Sequence, residues 1–83
     1  MDPKRCVLDW LGASVEGDWD AQSAIAGDFF QWIAKGGFAP RFGAYVVRRL
    51  DTERDRVLVE EYGKEQWLSD ERALELFEAE ERS

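Results

Sequence analysis

The sequence predicts one small α+β domain, residues 1–83, with element order ααββα. Three observations carry that reading: two amphipathic helical stretches joined by a short link, a change from helical to alternating hydrophobic spacing near Gly43, and a return to helical spacing after Ser69. The expected architecture is a helical hairpin packed on one face of a two-stranded antiparallel hairpin, with a C-terminal helix completing the core. Eighty-three residues leave no material for a second core. A chain of this size buries only about 60 to 65% of its unfolded surface. The 11 aromatic residues offset this, since each can bury about 150 to 250 Å².

The first helix is expected from about Pro3 to Val15. Asp2 supplies an N-cap and Pro3 a first-turn residue, and Val7, Leu8, Leu11 and Val15 form the apolar side. The second covers about Trp19 to Lys35. Asp18 or Asp20 caps it, and Gln22, Ile25, Ala26, Phe29, Trp32 and Ile33 fall on one stripe. At its end, a left-handed Gly37 would let Phe38 fold back on Ile33, and Pro40 prevents the helix from resuming. The short link makes these two helices an antiparallel hairpin.

Tyr45 to Leu50 and Val57 to Tyr62 read as strands around a polar turn. Two registers fit: one sets Arg48 opposite Glu60, and a two-residue slip gathers Val47, Val57, Val59 and Tyr45. Trp67 and Leu68 follow a turn at Gly63-Lys64, and Ser69 caps a last helix from about Asp70 to Glu81 with Ala73, Leu74 and Phe77 facing the core. Among the four tryptophans, Trp32 is expected in the core and Trp19 or Trp67 at the surface.

Gly27-Asp28 interrupts the second helix, where glycine costs about 1 kcal/mol relative to alanine. One account is close helix–helix approach at Gly27 with Asp28 paired to an arginine such as Arg41. The other is a partner contact at bare backbone.

Chemistry is sparse. There is no histidine, so both a usual zinc site and the commonest general base are missing, and Cys6 is the only cysteine, which excludes an intramolecular disulfide. Asp18-Trp19-Asp20 begins like a calcium loop, but Ser23 stands where that loop requires glycine. Gly36-Gly37 follows a helix rather than a strand, unlike a phosphate-cradling loop. The expectation is therefore a protein with no catalytic residue, no cofactor and no metal, untargeted and resident in a reducing cytoplasm. No apolar run approaches the roughly 18 residues of a membrane span.

Charge carries more information. The net charge is −7, and residues 60 to 83 hold nine acids and three bases whereas residues 36 to 59 hold three acids and five bases. A basic footprint for direct nucleic-acid binding is missing. The expected partner is a protein with a basic surface, engaged by Glu60, Glu61, Glu65, Trp67, Asp70, Glu71, Glu75 and Glu78; a solvated helix face accounts for the same acids. The arginines around the hairpin, Arg41, Arg48, Arg49, Arg54 and Arg56, are expected to pair with Asp51, Glu53 and Asp55 or with the last helix.

The run Phe29-Phe30-Gln31-Trp32-Ile33-Ala34-Lys35-Gly36-Gly37-Phe38-Ala39-Pro40 resembles a helix end of the form W-[IL]-x-x-G-G-F-x-P found in small bacterial or phage-type proteins, a likeness that attaches no activity. In size and acidity the chain also looks like the compact inhibitors of phages and mobile elements, including anti-CRISPR proteins. That likeness implies an inhibitor of a basic, nucleic-acid-handling protein acting by steric and electrostatic mimicry. The competing expectation is a structural or regulatory homo-oligomer, with a homodimer pairing Trp67, Leu68 and the spare hairpin face.

Overall fold

Local capping chemistry sets the helix bounds. In the computed structural model, which describes residues 2–82, helix α1 (Pro3–Glu16) begins where Asp2 Oδ1 accepts the amides of Lys4 and Arg5 at 3.1 and 3.3 Å. Helix α2 (Trp19–Ala34) begins where Asp18 Oδ1 accepts the Ala21 amide at 3.2 Å. Asp18 is thus a helix cap, and among the described residues no group of carboxylates or thiols gathers as a metal-binding set. Helix α3 (Asp70–Arg82) starts at Ser69, whose Oγ accepts the Arg72 amide at 3.3 Å. Among the described residues no helix is long and apolar enough to cross a membrane.

The end of α2 differs from the sequence expectation in its details. Gly36, not Gly37, takes the left-handed conformation, at φ 88. The Gly36 and Gly37 amides bond to the Ile33 and Trp32 carbonyls at 3.0 and 2.9 Å, the Schellman pattern displaced by one residue. Phe38 does not fold back on Ile33 and is 87% exposed. Instead Trp32 Nε1 donates to the Phe38 carbonyl at 2.9 Å, and a Cβ on Gly37 would lie 2.3 Å from the Trp32 ring. The indole takes the place intended for the phenyl ring, so Trp32 is half-buried rather than central.

The expected two-stranded hairpin is a four-stranded antiparallel sheet: β1 (Arg41–Phe42), β2 (Tyr45–Asp51), β3 (Arg56–Glu61) and β4 (Lys64–Ser69), in that spatial order. Tyr62 and Gly63, at φ 51 and 81, form a two-residue turn that brings β4 back along β3. β1 is two residues long, too short to announce itself by pattern.

The slipped register, which gathers Val47, Val57 and Val59 with Tyr45, holds for β2 and β3 from Tyr45 to Val47, and Arg48 does not sit opposite Glu60 in the ladder; past Val47 the pairing shifts by one residue. Val47 lies opposite Val59 and Leu50 opposite Val57, with a shift between Val47 and Arg49 that leaves Arg48 as an extra residue. The cause is visible in the spacing. Val47 and Leu50 are three apart, so in a regular strand they would face opposite sides, and one bulged residue lets both face the helices.

The fully buried set draws on most elements: Val7, Trp10 and Leu11 from α1, Phe42 from β1, Val47, Val57 and Val59 from the sheet, and Ala73 and Phe77 from α3. Phe29 of α2 joins them. Phe77 stacks on Phe42 with ring centroids 4.3 Å apart and planes 7° from parallel. The central tryptophan is Trp10, whose Nε1 reaches Thr52 Oγ1 at 3.3 Å. Trp19 and Trp67 lie at the surface, 57% and 41% exposed.

Gly27 does not mark a close approach, since nothing lies within 4 Å of a Cβ built there. Asp28 and Arg41 form no ion pair; Asp28 instead lies within electrostatic reach of Cys6.

Candidate functional site

Alternation along β3 settles where the expected binding residues go. Val57 and Val59 face the helices, so Leu58 and Glu60 point outward, and the register places Trp67 opposite Leu58 and Glu65 opposite Glu60. Glu61 lies on the helix side, where its Oε1 accepts Gln66 Nε2 at 3.5 Å. Asp70, Glu71, Glu75 and Glu78 belong to α3, which packs on β3 and β4. Glu65 and Trp67 lie on β4 and Asp70 follows it, whereas the later turns of α3 reach β1 at the far edge of the sheet, where Phe77 stacks on Phe42; the eight residues therefore do not form one continuous face.

Several of these acids already have partners. Glu60 pairs with Arg48 at 3.2 Å, Glu75 with Arg72 and Glu78 with Arg82 at 3.4 Å. Such exposed pairs contribute roughly 0 to 1 kcal/mol each. Asp70 serves the fold: its Oδ2 accepts the Ser14 hydroxyl at 2.6 Å, and its amide bonds to the Asp55 carbonyl at 3.0 Å. Glu65 and Glu71 form no ion pair among the described residues. Glu65 also faces Glu60 directly across the ladder, an unfavourable pairing of like charges.

Among the described residues no helix covers the outward face of the sheet. Val46 and Leu58 are half-buried there and Trp67 is the most exposed of the three. The Arg56 guanidinium sits 3.9 Å from the Trp67 ring centroid while its Nε donates to Asp51 Oδ2 at 2.9 Å. This hydrogen bond holds the Asp51 carboxyl below its ordinary range. Asp51, Arg56 and Trp67 thus form a row in which Asp51 orients the guanidinium against the indole. Reading the Tyr62-Gly63 turn in the sequence would have placed Arg56 and Trp67 on one face; without β4, nothing linked them.

The hairpin arginines divide. Arg54 and Arg56 both reach Asp51, whereas Arg41 and Arg49 form no ion pair among the described residues. Asp55 binds buried groups instead of arginine, accepting Gln22 Nε2 at 2.9 Å and approaching Ser14 Oγ at 3.1 Å.

Cys6 lies half-buried against α2, with Sγ 3.7 Å from the Ile25 carbonyl. Burial, together with the nearby carboxylates of Asp28 and Asp9, pushes its thiol pKa up. That is the reverse of what activates a nucleophile.

Comparison with protein-family models, with curated proteins and with solved structures finds no match to this chain.

Proposed function

We propose that the protein is a non-catalytic, cytoplasmic binding module that engages a partner protein carrying a basic surface along its β4 edge. The observation that carries this reading is the combination at that edge: Trp67 41% exposed on an uncovered sheet face, beside a Glu65 that forms no ion pair among the described residues. Tryptophan is enriched among residues that dominate binding energy, and the surrounding carboxylates steer a basic partner. The chain's net charge of −7 favours the same class of partner. A partner that normally holds nucleic acid has such a surface, so the sharper form of the reading is an inhibitor that occupies a phosphate-binding groove. The high thiol pKa of Cys6 and the lack of histidine support a role without catalysis.

Affinity capture from the native host, followed by binding measurements with the captured protein, tests this. The expected result is release by salt and at least a tenfold loss of affinity for both Trp67→Ala and the Glu65→Lys, Glu71→Lys pair. A partner that stays bound at high salt and ignores the charge reversals sinks the electrostatic reading.

A homo-oligomer is the second reading, favoured by one observation: β4 is a six-residue edge strand with no neighbour on its outer side among the described residues. Light scattering decides it, because a monomer at micromolar concentration removes it.

A further inference from the structure

A groove of about 420 Å³ lies between α2 and β2. Ala26, Phe29, Phe30 and Ile33 line one wall, and Arg48, Arg49 and Leu50 of β2 line the other. Leu50 faces the helices, whereas Arg49 lies opposite outward-facing Leu58 and Arg48 reaches outward-facing Glu60, so residues from both faces line one groove and it runs along the strand's edge. β1 pairs with β2 at Tyr45 and Val46 alone, and the Val47 amide is taken by the Pro40 carbonyl at 2.9 Å. Beyond that point no strand lies on this side of β2 among the described residues. Residues 48–51 therefore present a short open sheet edge with an apolar wall beside it, and open edges are templates for an added strand.

Charge selects the occupant. Arg48 and Arg49 both line the groove and no carboxylate does; Arg49 lies opposite the outward-facing Leu58 and Arg48 reaches the outward-facing Glu60, so the two bases stand at its outer rim. Arg49 forms no ion pair among the described residues, and Arg48 pairs only with Glu60 at 3.2 Å. This is a basic patch in a chain of net charge −7. Phe30 stands 73% exposed at the groove, a large apolar contact that the fold itself leaves open.

The geometry points to a peptide-binding groove for an extended acidic segment with alternating apolar residues. About four peptide residues, roughly 13 Å of strand, pair with residues 48–51. Their apolar side chains rest on Phe29, Phe30 and Ile33 while their carboxylates meet Arg48 and Arg49. This site lies at the opposite sheet edge from β4 and stands or falls independently of the binding surface proposed there.

The test uses the whole chain and a fluorescein-labelled Glu-Leu-Glu-Val-Glu-Leu peptide, followed by fluorescence anisotropy and amide hydrogen exchange. The expected result is saturable binding that slows exchange within residues 48–51. Binding should weaken at least tenfold for Arg49→Glu and for Phe30→Ser. Both positions are exposed, so circular dichroism should show both variants folded. The proposal is overturned if the peptide does not bind, if a version with lysine in place of glutamate binds equally well, or if the two variants bind like the parent. Binding of decanoate with no binding of peptide also overturns it, assigning the groove to small anionic amphiphiles.

Discussion

The Ser14 hydroxyl donates to Asp70 Oδ2 at 2.6 Å, joining the last turn of α1 to the first residue of α3 across 56 positions of sequence. One hydroxyl carries one proton, so the shorter contact takes it, and Asp55 Oδ1, 3.1 Å away, is satisfied by Gln22 instead. The cluster ties α1, α2, the turn after β2 and the start of α3 together. Ser14→Ala leaves a half-buried carboxylate without its donor, and a loss of about 1 to 3 kcal/mol is expected in chemical denaturation. Asp70→Asn should also lower stability. A stability unchanged in both variants would remove the structural role assigned here to Asp70.

Glycine substitutions separate room from conformation. Gly37→Ala places a methyl group inside the Trp32 ring, which is held by its bond to the Phe38 carbonyl. A loss of about 1 to 3 kcal/mol follows from such overpacking. Gly27→Ala meets nothing within 4 Å in mid-helix, so it should stabilise by about 0.5 to 1 kcal/mol. Thermal melts of the two variants should therefore move in opposite directions.

Asp51 makes stability depend on acid. Its folded-state pKa is depressed chiefly by the hydrogen bond from Arg56, so its contribution is present above the unfolded carboxylate pKa of about 3.9 and lost as pH falls through the folded value. The melting-temperature gap between the parent and Asp51→Asn should be constant near neutrality and close on acidification below about pH 4. Because Asp51 and Arg56 lie near the surface, salt should narrow the gap as well.

Cys6 should be slow to alkylate. Its raised pKa keeps the thiolate scarce at neutral pH, so the iodoacetamide rate should climb only above the ordinary thiol range of about 8.5. Asp28→Asn removes one of the charges that raise it and should shift the rate profile to lower pH. A rate profile centred near neutrality would contradict this environment.

The helices were legible because their signals are local. Asp2 with Pro3, Asp18 and Ser69 each cap the helix that follows within three residues. The stripe from Gln22 to Ile33 correctly marked the packed side of α2. β4 was not legible, because its helix-side positions are Lys64, Gln66 and Leu68, with one apolar residue among them. Its strand conformation comes from pairing with β3 rather than from its own composition.

The candidate site was legible as a list of acids but not as a surface. Glu60 and Glu61 are neighbours in sequence, yet the ladder sends one outward and the other toward the helices.

Three capped helices, the alternating strands β2 and β3, and an acidic C-terminal third could be read from the residues alone, because capping, periodicity and charge act over a few residues. Tertiary structure alone decided the outer strands, the bulge at Arg48, the stacking of Arg56 on Trp67 and the replacement of Phe38 by Trp32 at the end of α2. Each depends on which apolar groups must share one buried face, and that condition exists only once the chain has closed on itself.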